Sequence, residues 1–296
     1  MVGPRPPARA ERMLRIGCVK YLNARPLVRG WPGDVDFDHP SALCERLAAG
    51  KLNVALVSSF EFLRNPIYRI VNDISISSDG PVYSVVVAHR GEFSEIQEIE
   101  LDPASGTAVN LLRCLLAELE MSPRLLLKRE FEKRVERNPL RSAPKTFGAG
   151  AASPPQDGFA VATLPATHRA RLLIGDQAIH FRQNHADEFR FWDLGEQWKN
   201  LIGLPFVYAL WLVRPEVADP TQIASRLRAL RDENLANLDG LIAAENVFDH
   251  EFCARYYRKN LRFTFDEKKK EGLQTFAKLC EKDGLLSKHD LVFDLV

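Results

Sequence analysis

The chain has no apolar run of membrane-spanning length. Its longest candidates, Val82 to Ala88 and Leu204 to Val213, are strand-length, well short of the ~20 apolar residues that a spanning helix needs. It has no excess of one charge: 40 basic against 39 acidic residues leave +1, so no global field draws nucleic acid or an anionic membrane, and specificity must be local. Five cysteines (Cys18, Cys44, Cys114, Cys253 and Cys280) form no C-x-x-C. Their odd number, and a basic, proline-rich start without the apolar stretch of a secretory signal, point to reduced thiols in the cytoplasm. No H-E-x-x-H occurs, and His180 and His185 are five apart, a spacing that does not stack them on one helix face, which argues against a metal site. Gly148-Ala149-Gly150 lacks a third glycine and follows no convincing strand, which excludes a dinucleotide fingerprint.

At 296 residues, 46% hydrophobic and 27% charged, the chain reads as a globular protein of one large or two medium domains. Residues 1–12 read as a disordered tail. The stretch Lys20-Tyr21-Leu22-Asn23-Ala24-Arg25-Pro26-Leu27 follows an apolar strand that starts at Met13 and ends at Val19. In an open α/β sheet, ligands collect where strands finish and helices begin. Asn23 can donate and accept hydrogen bonds there without carrying charge. Its other reading is a cap for the next helix.

The chain continues with a helix opened by Asp38-His39-Pro40-Ser41 and ended by Gly50, then a strand over Asn53 to Val57 that stops at Ser58-Ser59. This β-α-β start predicts a parallel sheet. Phe60-Glu61-Phe62 begins a short helix before Pro66, and Tyr68 to Val71 is another apolar piece. Asn72 to Pro81, rich in small polar residues and ending in Gly80-Pro81, reads as a loop. The β-branched run Val82 to Ala88 is a strand that contains Ser84; a serine there either meets a ligand or bonds nearby backbone. Ser105 is a good N-cap for a helix whose apolar positions are Val109, Leu112, Leu116 and Leu119, and such a start can hold a carboxylate or phosphate or be an ordinary cap. Residues 124–157 look least ordered, with a mobile insertion over about 129–157.

Phe159 to Leu164 is apolar. Arg171 to Asp176 is a strand ending in Gly175-Asp176, whose carboxylate either faces a cleft or caps a turn. Phe206 to Val213 is a long strand, and helices follow from Asp219-Pro220, over Phe248 to Asn260, and over Asp266 to Asp283. Two strand-rich parts, each closed by a strong strand, make an economical two-lobed layout: residues 13–90 and 207–296 form one lobe, 91–206 the other. A cleft between lobes is a common small-molecule site.

These pieces are similar to a family. Tyr21-Leu22-Asn23-Ala24-x-Pro26-Leu27 resembles the opening motif of the chorismate dehydratases, which start the futalosine route to menaquinone. Val82-Tyr83-Ser84-Val85 after a Ser-x-Gly loop, Leu101-Asp102 with Ser105 and Thr107, Ile174-Gly175-Asp176, and Gly203-Leu204-Pro205-Phe206 through Trp211 resemble that family in the same order, from about Leu14 to Leu286. The helix start departs from the family's Ser-Arg-Thr-Ser-like form, being Ser105-Gly106-Thr107-Ala108.

The resemblance implies an α/β, two-lobed type II periplasmic-binding-protein-like fold with the ligand cleft between lobes, and no metal or organic cofactor. It implies elimination of water from chorismate to give 3-[(1-carboxyvinyl)oxy]benzoate. Asn23 and Ser84 would be catalytic. Tyr21, Gly80, Ser105, Gly106, Thr107 and Asp176 would bind substrate. The base is either Asp176 or the substrate's own enolpyruvyl carboxylate; a fixed anion beside a dianionic substrate favours the second. The partner is a small molecule, with no nucleic acid and no membrane, and a homodimer is left open. A solute-binding protein of the same fold would need an export signal, the sibling 1,4-dihydroxy-6-naphthoate synthase has another opening motif, and a regulator would need a DNA-binding module that 12 residues cannot hold.

Overall fold

The structure is a computed structural model that describes residues 14–102, 105–127, 166–288 and 290–296. The tail over 1–12, the expected insertion over 129–157 and the apolar stretch from Phe159 to Leu164 lie outside the described residues.

Two five-stranded sheets carry the architecture. In the first, β1 (Ile16–Val19) pairs in parallel with β2 (Val35–Asp38) and β3 (Val54–Ser58). The last long strand, β10 (Phe206–Val213), runs antiparallel between β3 and β4 (Arg69–Ser78). In the second, β5 (Val85–His89) lies antiparallel to β8 (Arg169–Ile174) and β9 (Arg190–Asp193). There β6 (Glu98–Leu101) is parallel to β7 (Arg124–Leu127) and β8. The strands β1, β3 and β5 are buried along their whole length, as expected for strands covered on both faces, and their near-continuous apolar sequences follow from that.

The topology corrects the expected lobe boundary. The strand β5 belongs to the second sheet, so the chain leaves the first sheet between Ser78 and Val85 rather than at residue 90, and it returns between Asp193 and Phe206. Burial suits either lobe equally; pairing with Arg169–Ile174 decides the placement, and no local pattern encodes that partner.

The stretch Asn72–Ser78 is also strand, not loop. Ser75, Ser77 and Ser78 are buried. Ser75 Oγ donates to the Thr264 carbonyl at 2.6 Å and Ser77 Oγ to the Arg262 carbonyl at 3.1 Å, so the C-terminal segment satisfies the hydroxyls that make this stretch look solvated. Asp73, at φ +63°, marks an irregularity in the pairing with β10. Residues 124–127, at the start of the stretch expected to be least ordered, form the edge strand β7.

Helices start where their caps predict. Ser105 Oγ accepts from the Ala108 N–H for the Gly106–Glu118 helix, and Asp219 and Asp266 cap the Pro220–Ala236 and Glu267–Lys282 helices. The C-terminal helix packs on β10 and on the Gly106–Glu118 helix, so one contiguous apolar core spans both sheets. A smaller cluster of Val86, Ala88, Leu173 and Ala178 packs with Phe181, Phe189 and Phe191. Among the described residues, no helix is long and apolar enough to cross a membrane.

Candidate active site

Where β1 ends, the chain makes a short 3-10 turn over Leu22–Ala24 and then a helix with Pro26 in its first turn. Distant elements pin the turn. Asp176 Oδ1 accepts from the Leu22 N–H at 2.8 Å, and the Tyr257 hydroxyl donates to the Leu22 carbonyl at 2.9 Å. Asp176 opens the Gly175–Asn184 helix after β8, while Tyr257 lies in the π-helical turn Tyr256–Asn260. The second sheet and the C-terminal part thus fix the backbone that presents Asn23.

Asn23 caps neither adjoining helix. Its Oδ1 is buried without a hydrogen-bond partner, and it lines a hollow that draws on both sheets. The lining includes Tyr21, Ser58, Ser105, Gly175 and Tyr208 among apolar neighbours such as Leu56, Ile76 and Ile174; none of the described lining residues carries a charged side chain. The empty volume, mouth included, is ≈ 530 Å³. Buried polar groups are normally bonded to protein or ordered water, so an orphan acceptor that lines a hollow marks a place for an incoming hydrogen-bond donor.

Ser84 is fully buried and is not among the lining residues, although its neighbour Val85 is. The Tyr256 hydroxyl donates to Ser84 Oγ at 2.6 Å. Burial pushes the Tyr256 hydroxyl well above the ordinary phenol value, and both Ser84 and the Asn23 side chain pull it partly back. Ser84 bonds that phenol oxygen, and Asn23 lies near enough to favour its ionised form. Ser84 is held firmly: its carbonyl accepts from the Gly175 N–H at 2.8 Å, and its neighbour Tyr83 takes the left-handed conformation, φ +70°. That strain persists because the surroundings over-determine it. The Asp193 carboxylate accepts from the N–H groups of Val82 (3.0 Å) and Tyr83 (2.7 Å), and the Arg182 guanidinium lies 4.2 Å from the Tyr83 ring centroid.

The other expected residues divide. Tyr21 and Ser105 line the hollow beside Asn23. Burial, followed by Asp102 and Asp176, pushes the Tyr21 hydroxyl up to about 12, so it is a neutral donor. Gly175 has φ +57°, and a Cβ there would stand 2.8 Å from the Tyr21 ring; glycine serves both the turn and the close approach. Thr107 is buried in a joint between the sheets. Its N–H donates to Ser58 Oγ at 3.1 Å, and its hydroxyl lies 2.5 Å from the same Oγ.

The start of the Gly106–Glu118 helix is thus largely committed to protein groups, with Ala108 N–H bonded to Ser105 Oγ at 3.2 Å. Gly106 borders a neighbouring groove with Phe60 and Glu61 rather than the hollow. Gly80 lies outside the lining; its carbonyl accepts from Ser78 Oγ at 2.9 Å. Asp176 is also absent from the lining. Its carboxyl is raised by burial, an effect opposed by the Leu22 N–H and then by Arg25 and His180.

Sequence reasoning passed over Ser58, Tyr208, Tyr256 and Tyr257. The one signal was the tandem Tyr256-Tyr257 inside an otherwise apolar helix face, because buried phenols seek partners.

Two lobes, each built on its own sheet, with a polar-edged hollow between them define a protein of the periplasmic-binding-protein fold. The crystal structure of AF1704 from Archaeoglobus fulgidus matches with a TM-score of 0.60 at 15% identity, covering 92% of this chain and 98% of that one. The periplasmic aliphatic sulphonate binding protein SsuA from Escherichia coli matches at 0.56 and 13% identity, covering 93% and 88%. These likenesses establish the fold. The model of the menaquinone biosynthesis family matches residues 14–139 and 155–282, and the chain belongs to that family. The chorismate dehydratase of Thermus thermophilus is 29% identical over 282 residues, 88% of this chain and 93% of that protein.

Proposed function

We propose that the chain is a chorismate dehydratase, a hydro-lyase that converts chorismate to 3-[(1-carboxyvinyl)oxy]benzoate and water in the cytoplasm. Membership of the menaquinone biosynthesis family and the Thermus relative support the substrate. The observation that carries the reading is the buried, unpartnered Oδ1 of Asn23 in a hollow without charged lining.

In the reaction, the ring carbon bearing the enol ether loses its proton. The electron pair of that C–H bond shifts into the ring, the C–O bond to the neighbouring hydroxyl breaks, and hydroxide leaves as water with a proton. The ring becomes aromatic, so the step is strongly downhill, and catalysis consists of orientation and proton handling. Asn23, Tyr21 and Ser105 line the hollow and offer neutral donors and acceptors for two carboxylates and a hydroxyl, with Ser84 next to the lining residue Val85. The position of Asp176, bonded to the Leu22 N–H and absent from the lining, favours the substrate's enolpyruvyl carboxylate as base and leaves Asp176 to hold the turn that carries Asn23.

The test is incubation of the purified protein with chorismate. Loss of the cyclohexadiene absorbance, with appearance of an aromatic product lighter by one water, is expected. Saturable binding of chorismate without conversion would instead make the chain a carboxylate-binding protein.

A further inference from the structure

We infer that Tyr256 is a positioning residue for the dehydration: its hydroxyl orients Ser84 so that the Ser84 proton is offered to the substrate. The inference rests on the functional reading above and extends it to a residue of the C-terminal part.

Tyr256 is fully buried, its ring stacked on Phe252 at 5.5 Å. A phenylalanine would fill this space, and burying a hydroxyl is costly unless it is bonded. The hydroxyl donates to Ser84 Oγ at 2.6 Å, and a phenol has a single proton to give. Ser84 Oγ therefore accepts along that line and must direct its own proton elsewhere. Among the described residues, no hydrogen bond takes up that proton. The bond to Ser84 is thus the one hydrogen bond of the Tyr256 hydroxyl among the described residues. The depth of burial keeps the phenol protonated, which makes it a fixed donor and not a base. Tyr256 also opens the π-helical turn after the His250–Arg255 helix. Single π turns recur at functional sites, and this one places successive tyrosines on Ser84 and on Leu22.

Tyr256→Phe keeps the ring and removes only the hydroxyl. With chorismate, kcat is expected to fall about 10- to 100-fold, the cost typical of losing a partner that orients a directly acting group, with KM within about twofold. The Ser84→Ala and Tyr256→Phe losses should not multiply: the double variant should be no slower than Ser84→Ala alone, as for groups acting as a unit. A purely structural Tyr256 would lower thermal stability and leave the split between kcat and KM unmoved.

Because Tyr256→Phe could fail to fold, 3-fluorotyrosine at position 256 provides a second probe, retaining ring and hydroxyl while strengthening the donor; kcat should shift a few-fold at constant KM. Wild-type kcat in Tyr256→Phe, an unchanged kcat with 3-fluorotyrosine, or multiplying losses in the double variant would each overturn the inference while leaving the dehydratase reading intact. Absence of turnover by the wild-type protein would overturn that reading, and this inference with it.

Discussion

The Thr107 hydroxyl lies 2.5 Å from the Ser58 hydroxyl, and the Thr107 N–H donates to the same Ser58 oxygen at 3.1 Å. Ser58 ends β3 in the first sheet, whereas Thr107 stands in the first turn of the helix that follows β6 in the second. The Phe60 N–H donates to Thr107 Oγ1 at 3.1 Å, and Ser59 Oγ bonds the Val207 carbonyl at 2.7 Å. The two lobes are thus joined by a buried polar seam beside the hollow.

Thr107→Val preserves the shape and removes the hydroxyl. It leaves the Phe60 N–H and one Ser58 interaction unmet in a buried place, which costs about 1–3 kcal/mol. Urea unfolding should show that loss as a lower midpoint with an unchanged slope. If Thr107 binds substrate directly instead, KM for chorismate should rise by far more than stability falls.

Gly175→Ala tests a close approach. A Cβ at this position meets the Tyr21 ring at 2.8 Å, and φ is +57°. The left-handed conformation alone costs about 1–2 kcal/mol for a residue with a side chain, and Tyr21 must move from the wall of the hollow. We expect both a lower thermal midpoint and weaker substrate binding. A structure of the variant with Tyr21 in place and unimpaired KM would contradict this.

The apolar skeleton was readable from the sequence; the polar contacts between distant segments were not. Phe206 to Val213 reads as a strand because both its faces are buried, and helix starts at Ser105, Asp219 and Asp266 show in their capping side chains. Asn72–Ser78 reads as loop because its serines find partners at Arg262 and Thr264, residues that no local pattern connects to it. The pairing of Ser84 with Tyr256 spans 172 positions. Asn23 stands out by its motif, yet only the structure separates an orphan acceptor from a helix cap.

Asp176 provides a test of the base that is also a test of pH dependence. Its carboxyl is raised above the ordinary value, chiefly by burial, so the folded chain holds this proton more tightly than the unfolded chain. Stability from this group is therefore greatest in acid and declines as pH rises from the unfolded value, near pH 4, through the folded one. Asp176→Asn cannot titrate, and its amide oxygen can still accept from the Leu22 N–H. Relative to wild type, the variant should gain stability across that window, as measured by urea unfolding at successive pH values. Its kcat should stay within about tenfold of wild type, whereas loss of a general base costs ~10²–10⁴. A loss in that larger range, with the fold intact, would return Asp176 to the role of base.

Asn23 should show function and stability opposed. Its Oδ1 is buried and unpartnered, and such an acceptor costs the folded state about 1–3 kcal/mol. Asn23→Ala removes that cost, so thermal stability should be maintained or raised. Turnover of chorismate should fall at least ~10²-fold, the cost of removing one group that stabilises the transition state. Asn23→Asp is nearly isosteric but places an anion beside the dianionic substrate, and here KM should rise as well as kcat fall. The comparison separates positioning from charge: substitution by alanine without loss of rate would remove Asn23 from the chemistry, and equal KM values for the aspartate variant and wild type would place the substrate carboxylates elsewhere.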